Sequence, residues 1–381
     1  MIRSRLFRRR ALPLLCSLIC MLSAFCSLPA TRAQDLDKPL QNIDEEITAF
    51  SFASDGRIVY SVRRNIKTKK YDLQHDDIWI QDANGKRRRL LQGDKFNRGE
   101  ELFSYAVDSF HWSPNGRLFL AQLFTTSVVE EGRTEDSFQA LAFEDSGKEI
   151  HFGKGENVIK DCYNPSWLED NSTIMYFNEA IKPRMLFSFR YMNISTGPAG
   201  PAFEGRTFLD YNRVPGTNGA IAVEQDRAQS GPPRLQRLEL LAQDDKEVAT
   251  LDSYAGSLSV SPSGKKVAYF VDREVLEVRD LAAPDHFVRL RVGLGVFHWS
   301  PDENRIMLKR AVERKSGDLV WIMIPQLPAQ KTSKEVAILT PTPQPILHGI
   351  SIREFNISPD GRFLAVVLPG KRNLQIFPLP Q

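Results

Sequence analysis

This 381-residue sequence has little cysteine outside its amino-terminal stretch, and it lacks local catalytic motifs. Three of its four cysteines lie within residues 1–33, so Cys162 is alone in the rest of the chain. A single thiol excludes an internal disulfide and a cysteine-based metal cluster there. Because cysteine is among the most buried residue types, we interpret Cys162 as an inert core residue.

Recognisable catalytic signatures are also missing. The sequence has no Gly-x-Ser-x-Gly elbow, no His-Glu-x-x-His, no phosphate-binding glycine loop and no dinucleotide fingerprint. His111 and His298 occupy the same place in two Phe-His-Trp-Ser-Pro segments, and such repetition favours a structural role, such as a contact between repeats, over metal binding. We therefore expect no cofactor and no metal.

Acidic residues are absent from residues 1–33, which contain six arginines. This stretch has the parts of a secretory signal: a cationic start, an apolar run over residues 11–30, and small residues at Thr31 and Ala33 suited to cleavage before Gln34. We expect residues 1–33 to be a signal peptide and the protein to be periplasmic or secreted. An uncleaved membrane anchor remains the alternative, because the apolar run approaches the length that spans a bilayer.

The charge outside this leader is slightly acidic. Without the six leader arginines, 44 of the 50 basic residues remain against 47 acidic residues. A net charge of −3 provides no attraction for a phosphate backbone, so we expect no nucleic-acid partner.

One short pattern recurs along the rest of the chain, in which an apolar residue precedes Ser-Pro-Asp-Gly or a variant of it. Its copies begin at Phe52, Trp112, Trp167, Val260, Trp299 and Ile357, and a weaker copy contains Asn218 and Gly219. Seven copies between residues 52 and 357 give a period of about 50 residues, which is typical of propeller blades. The weak fourth copy leaves rings of six or eight blades open.

Each copy has the composition of a β-hairpin. Proline fixes φ in the turn, glycine or asparagine takes the left-handed position, and an apolar, β-branched strand follows. Further strands after the first copy, at residues 77–81 and 88–91, give four antiparallel strands per repeat. The sequence therefore predicts an all-β fold, a β-propeller with seven four-stranded blades in one domain over residues 34–381.

The two ends of the chain supply complementary parts of one blade. After the last copy only a second and a third strand follow, the latter at residues 373–377, whereas a spare extended segment lies within residues 40–46. We expect the amino-terminal segment to complete the last blade, because pairing the two ends closes the ring and removes an open edge.

These copies resemble the bacterial TolB-like, WD40-like propeller repeat, whose core reads Trp-Ser-Pro-Asp-Gly-x-x-Ile-Ala-Phe. The resemblance covers residues 40–381, and four copies keep Ser-Pro, at positions 113, 261, 300 and 358. It extends to the repeat superfamily rather than to TolB itself, since the chain enters its first repeat too early for the separate α/β domain of TolB. The resemblance implies a propeller of the bacterial envelope.

Loop lengths divide the two faces of the predicted propeller. We call the face with the turns joining strands one to two and three to four the short-turn face, and the opposite face, with the remaining loops, the long-loop face. Long loops are predicted at residues 63–76, 92–109, 130–136, 225–233, 310–318 and 340–353. Loops on a rigid scaffold commonly hold binding residues. Within the second loop we predict a binding site formed by Lys95, Arg98, Glu101, Phe103 and Tyr105.

These observations predict an exported, non-catalytic module that binds a protein or peptide of the cell envelope, with no stable membrane insertion once the leader is removed. The alternative is a hydrolase or lyase with its active site in the central funnel, which would require carboxylates or histidines to converge at the mouth of the ring. The oligomeric state stays open.

Overall fold

The computed structural model describes residues 36 and 38–379, except 68–71, 94–101, 131–132, 156, 182–184, 229, 311–317, 331–335 and 348–351. The predicted leader therefore lies outside the described residues. Within the described residues the regular structure consists of β-strands, with no α-helix.

The strands form seven successive blades. The first segment, β1 (Gln41–Ile43), is followed by blade 1, with β2 (Ile47–Phe52), β3 (Ile58–Val62), the small hairpin β4 (Asn65–Lys67) and β5 (Asp72–Gln74), β6 (Asp77–Gln81) and β7 (Arg87–Leu91). Blade 2 contains β8 (Leu102–Trp112), β9 (Leu118–Glu130), β10 (Arg133–Glu144), β11 (Glu149–Ile150) and β12 (Ile159–Lys160). Blade 3 contains β13 (Tyr163–Trp167), β14 (Thr173–Ile181), β15 (Leu186–Asn193) and β16 (Gly197–Ala202).

The remaining four blades follow the same order. Blade 4 contains β17 (Phe208–Arg213), β18 (Gly219–Glu224), β19 (Arg234–Glu239) and β20 (Asp244–Thr250). Blade 5 contains β21 (Gly256–Val260), β22 (Lys266–Phe270), β23 (Val275–Asp280) and β24 (Phe287–Arg291), with β28 (Ile338–Leu339) added in parallel to β24. Blade 6 contains β25 (Gly295–Trp299), β26 (Arg305–Arg310), β27 (Leu319–Met323) and β29 (Gln344–Leu347). Blade 7 contains β30 (Glu354–Ile357), β31 (Phe363–Val367) and β32 (Leu374–Pro378).

The amino-terminal segment closes the ring. Strand β1 pairs antiparallel with β32, with Gln41 opposite Ile376 and Ile43 opposite Leu374. It thus supplies the fourth strand of blade 7, in the order β30, β31, β32 and β1. The predictions of seven blades and of closure by the two ends of the chain are confirmed.

The hydrophobic core is divided among the seams between blades. Seven clusters of buried side chains occur, one between each pair of neighbouring blades, and the seventh joins blade 7 to blade 1. Central strands such as β3 and β18 are buried along their whole length, because a blade is covered on both faces. Cys162 belongs to the cluster between blades 2 and 3 and is fully buried, as expected. Burial raises the pKa of its thiol well above the usual value.

Four of the predicted long loops are wrong in extent. The loop predicted at residues 63–76 contains the hairpin of β4 and β5. Residues 344–347 form β29, the fourth strand of blade 6, and residues 133–136 belong to β10. Strand β8 begins at Leu102, inside the loop predicted at residues 92–109. For β10 the reason is that residues 133–136 are exposed and polar, a composition that resembles that of a loop. The loop after β18 is confirmed, since the described residues of 225–233, all but 229, lie between β18 and β19 without forming a strand.

Candidate functional site

Blade 2 projects beyond its neighbours on the long-loop face. Its first three strands have 11, 13 and 12 residues, whereas the longest described strand of the other blades, β14, has 9. Strand β8 remains paired with β9 as far as Leu102 and Ser127, and β9 with β10 as far as Glu130 and Arg133. The continuous pairing carries a three-stranded sheet outward and places side chains beyond the rim of the ring.

Four aromatic residues connect this projection to the core. The ring centroids of Phe124 and Phe138 are 5.4 Å apart, those of Phe138 and Tyr163 5.1 Å, and those of Tyr163 and Phe187 5.3 Å. We call these four residues the aromatic ladder. Phe187 is 8% exposed and belongs to a core cluster, whereas Phe124 is 39% exposed. The ladder therefore presents an apolar ring to solvent while its inner end fixes the position of that ring.

The first strand of each blade is the innermost. Strand β2 contacts both β8 and β30, and β17 contacts β21, as expected of strands that surround an axis. One position in these strands, immediately before the last residue of the strand, is partly exposed in all seven blades, although both neighbours in the strand are more enclosed in most of them. Because side chains alternate along a strand, these residues face the central channel. They form a neutral polar ring: Ser51, His111, Ser166, Asn212, Ser259, His298 and Asn356.

The two histidines of this ring are uncharged. Burial lowers the pKa of both His111 and His298 to about 4. The carbonyl of His111 accepts a hydrogen bond from Trp167 Nε1 of blade 3 at 3.1 Å, and the ring of His298 lies edge-on to Phe355 of blade 7, with centroids 4.9 Å apart. The ring of His298 thus makes a contact between blades as predicted, whereas the ring of His111 hydrogen-bonds with Ser109 Oγ of its own strand at 2.9 Å, and only its backbone carbonyl reaches blade 3.

Nearer the long-loop face, the inner strands carry three carboxylates, Asp108, Asp210 and Glu354, which we call the acidic mouth. Asp210 is held within the fold, since it accepts hydrogen bonds from the Tyr254 hydroxyl and from the backbone amide of Leu258. Asp108 and Glu354, in contrast, make no hydrogen bond or ion pair with any residue that the structure describes. Among the described residues, the fold thus supplies hydrogen bonds to one carboxylate of the acidic mouth, Asp210, and to neither of the other two.

Both unpaired carboxyl groups resist ionisation. Burial raises the pKa of Asp108. Burial raises the pKa of Glu354 to about 7. The positive charges of Arg353 and Lys309 act to lower this pKa, and the negative charge of Asp108 acts to raise it. Asp108 and Glu354 therefore repel each other across the channel although they come from blades 2 and 7. Ionisation of these carboxyl groups costs stability, since the charges of Arg353 and Lys309 compensate that of Glu354 only in part.

The structure describes two of the five residues predicted for the binding site. Lys95, Arg98 and Glu101 lie outside the described residues, so their role stays a prediction. Phe103 lies in β8. The expectation that Tyr105 is on an exposed loop is wrong, because this residue is 1% exposed in β8. Its ring stacks on His75 with centroids 5.2 Å apart, and its hydroxyl donates to the carbonyls of Asp76 and Gly93 at 3.0 and 2.9 Å.

The sequence reasoning missed the residues that the structure brings together here. Asp108 and Glu354 stand four and three residues before the apolar residue that opens their repeats, Trp112 and Ile357. Aligning all copies on that residue and then counting back along the inner strand would have located them. Phe124 and Phe138 had no such signal, because their contact depends on the pairing of β9 with β10.

The described residues show neither a metal-binding cluster nor a membrane-spanning helix. No group of three or more histidine, cysteine, aspartate or glutamate side chains in them could hold a metal ion. Among the same residues, no helix has the length and apolar character needed to cross a membrane.

Comparisons with known proteins bear on the fold. No protein-family model matches the sequence, and no curated protein matches it. A chain in the crystal structure of the mitotic checkpoint complex is similar over 100% of this chain and 99% of its own length, with a TM-score of 0.58 and 12% identity. The β-propeller domain of Myceliophteria thermophila Cps50 (Swd1) is similar over 90% of this chain and 100% of its own length, with a TM-score of 0.52 and 9% identity. At these identities the likeness concerns the fold alone, and this chain has a WD40-like β-propeller fold.

Proposed function

We propose that this protein is an exported, non-catalytic β-propeller that binds a protein or peptide partner of the cell envelope through its long-loop face. The observation that carries the proposal is the projection of blade 2, which presents the exposed end of the aromatic ladder beside the acidic mouth. A large preformed face with aromatic residues at fixed positions is what protein recognition requires.

The aromatic ladder supplies the apolar part of this surface. Aromatic side chains are enriched among the residues that contribute most to interface affinity, particularly where the surrounding structure holds them rigid. Phe124 fits that description because Phe138 and Tyr163 support its ring from below. Covering Phe124 with a partner removes apolar surface from water without requiring the ladder to rearrange.

The acidic mouth supplies the charge. Asp108 and Glu354 lack partners in the described fold, and a cationic side chain of a partner placed between them would compensate both charges. Such a contact would also lower the pKa of Glu354 from about 7. We therefore propose a partner that inserts a lysine or arginine at the channel and packs an apolar residue on Phe124. The same negative charge disfavours a nucleic-acid partner.

The proposed location rests on residues 1–33. Their cationic start, apolar run and small residues before Gln34 are typical of a signal peptide, and the Ser-Pro-Asp-Gly copies resemble the TolB-like repeats of bacterial envelope proteins. Fractionation of the host cells, followed by amino-terminal sequencing, tests this part. Recovery in the exported fraction with Gln34 as the first residue is expected, whereas a cytoplasmic protein that retains residue 1 would contradict it.

Affinity capture from crosslinked envelope extracts tests the binding proposal. Phe124→Ser removes the exposed ring, Glu354→Gln removes a charge from the mouth, and Arg117→Ser alters an exposed residue of the short-turn face as a matched control. We expect the first two variants to lose the partner that wild type and the control retain. Equal capture by all four proteins would contradict the assignment to the long-loop face.

One observation favours a second candidate, a hydrolase or lyase acting at the channel. Glu354, with a pKa of about 7, could donate or accept a proton near neutrality, and a second carboxyl group, that of Asp108, lies close enough to act on this pKa. A screen of chromogenic esters, glycosides and peptides distinguishes the candidates. Turnover that Glu354→Gln abolishes would favour the enzyme and contradict the non-catalytic proposal.

A further inference from the structure

Turns on the short-turn face are joined to each other by hydrogen bonds across most blade seams. The donor lies in one blade and the acceptor in the turn of the next. These bonds run from Arg57 Nη2 to the Gly116 carbonyl (2.7 Å), from Asn115 N to Asn171 Oδ1 (2.9 Å), from Glu169 N to Asn218 Oδ1 (3.0 Å) and from Ser263 Oγ to Glu303 Oε2 (2.9 Å). At these four seams a hydrogen bond therefore joins the short-turn ends of neighbouring blades.

The seam between blades 6 and 7 is built differently, with an apolar contact between the turns. The seam between blades 4 and 5 has a similar contact, between Val214 and Gly264. Pro301 packs against Gly361, where an added Cβ would lie 2.8 Å from Pro301 Cγ, and no hydrogen bond joins these two turns among the described residues. A cleft of about 220 Å³ opens beside this contact. Both apolar and polar residues line the cleft: Ser300, Pro301, Asp302, Arg305, Trp321, Ile357, Asp360, Gly361 and Leu379.

Arg305 carries an unsatisfied guanidinium in this cleft. The group lies 4.4 Å from the centroid of the Trp321 ring, and its Nε is buried without a hydrogen-bond partner. Neither this nitrogen nor the two terminal ones bond to any residue that the structure describes. The buried Nε without an acceptor costs free energy, and the two terminal nitrogens, which are not buried in this way, are the donors that a ligand acceptor can reach.

Blade 5 shows how another cationic side chain at this position is satisfied. Lys266 and Arg305 are equivalent, since the carbonyl of each accepts the backbone amide of the turn serine of its own blade. Lys266 Nζ donates to the carbonyl of Glu303 in the next blade at 3.2 Å. Arg305 has no such acceptor in blade 7. The cleft occupies the place where that bond would have been.

The two carboxylates at the rim do not serve as acceptors for Arg305. Burial acts to raise the pKa of Asp302 and Asp360, but hydrogen bonds from Ser300 and Ser358 outweigh it and lower both pKa values. The Oδ1 atoms accept those serine hydroxyls at 2.5 and 2.6 Å, inside their own turns. Both aspartates are therefore ionised and held by their turns. The charge of Arg305 contributes to the lowered pKa of Asp302, but no hydrogen bond joins the two residues, so the donors of Arg305 remain available.

We infer that this cleft binds a carboxylate carried on a short apolar stem. The planar guanidinium, fixed on the Trp321 ring, offers a fork of donors that matches a carboxylate. Trp321, Ile357 and Leu379 offer an apolar wall to the stem. The rim aspartates repel a bare polyanion, which restricts the ligand to a single carboxylate with apolar surface. A free carboxylic acid and the carboxyl-terminal residue of a peptide share this chemistry.

Titration with N-acetyl-leucine, followed by calorimetry and tryptophan fluorescence, tests the site, and uncharged N-acetyl-leucinamide is the matched probe. We expect saturable binding of the acid and about tenfold weaker binding of the amide, the effect of one charge-assisted hydrogen bond. Arg305→Met should weaken acid binding by a similar factor, whereas Arg117→Met, at the exposed turn of blade 2, should not. Absence of saturable acid binding, or equal affinity for acid and amide, would overturn the inference.

Two additions keep the test decisive. Arg305→Lys retains the charge but loses the planar pair of donors, so this variant should bind the acid more weakly than wild type. It provides the test even if Arg305→Met proves unstable. Unchanged binding by a folded Arg305→Lys variant would overturn the proposed bidentate contact. A tetrapeptide ending in leucine with a free carboxylate then identifies the source. Tighter binding than N-acetyl-leucine assigns the cleft to peptide termini, and equal binding assigns it to small acids.

Discussion

The two faces of the propeller differ in how far they follow the repeat. On the short-turn face the same side chains recur with the same bonds, as in Ser300 Oγ to Asp302 Oδ1 at 2.5 Å and Ser358 Oγ to Asp360 Oδ1 at 2.6 Å. On the long-loop face the described strands differ in length from blade to blade, and among them blade 2 alone extends its first three strands to 11 residues or more. The repeated residues build the ring, and the residues that depart from the repeat create surfaces that differ from blade to blade.

Removing the closing strand should give the largest effect, because it breaks the ring on which both faces depend. A protein of residues 47–381 loses the pairing of β1 with β32 and the buried side chain of Ile43. We expect a loss of at least about 3 kcal/mol in the free energy of unfolding, by analogy with the removal of a buried aliphatic side chain and its edge pairing. Denaturant unfolding of this protein against residues 34–381 measures it, and identical midpoints would contradict the closure.

Substitution of a turn glycine tests the short-turn face. Gly361 has φ +71° and lies against Pro301, whereas Gly56 has φ +86° and open space where a Cβ would be. Gly361→Val should cost about 3 kcal/mol, since left-handed backbone strain and a steric clash add. Gly56→Val carries the strain alone and should cost about 1 kcal/mol less. If both variants show the same midpoint in thermal unfolding, the Pro301 contact does not restrict the turn.

Tyr105 tests the boundary between scaffold and binding surface. Tyr105→Phe removes the hydroxyl that donates to the carbonyls of Asp76 and Gly93. We expect a loss of about 1 to 2 kcal/mol, because buried acceptors are left unsatisfied. Partner capture by the folded variant should remain at the wild-type level. Unchanged stability together with loss of partner capture would instead indicate that Tyr105 belongs to the binding surface.

Glu354→Gln should stabilise the protein at alkaline pH. The folded pKa of about 7 lies above the ordinary value of 4.5, so the stability linked to the protonated carboxyl is complete below pH 4.5 and is lost as the pH rises through 7. At pH 8 we expect the variant to gain about 1 to 2 kcal/mol, less than the full shift implies, because water reaches the mouth. Unfolding curves at pH 8 and pH 4.5 measure the difference, which should vanish at the lower pH. A variant that is less stable at pH 8 would contradict the account.

The fold was readable from the sequence because its signal is repeated. Proline and glycine in the turns, and apolar strands after them, occur in most copies, so a weak copy such as that around Asn218 is supported by its neighbours. The closing strand was also readable, since the last blade lacks one strand. These inferences need only local backbone preferences and the requirement that sheet edges be paired.

The surfaces were not readable in the same way. Asp108 and Glu354 are separated by most of the chain, and ring closure alone brings them to one channel. Tyr105 looked like a loop residue because β8 continues past the rim of the blade, which no turn signal announces. Arg305 looked like any charged residue after a turn, and the missing acceptor in blade 7 is visible only in the packed seam.

The most direct test of the central claim is site-specific photocrosslinking in the living host. A benzoyl-phenylalanine at position 124 keeps an aromatic ring at the exposed end of the ladder, and the same residue at position 117 samples the short-turn face. The account predicts a crosslinked protein adduct from position 124 that Glu354→Gln diminishes, with no adduct of the same mass from position 117. The same adduct from both positions, or from position 117 alone, would contradict the claim that the long-loop face binds the partner.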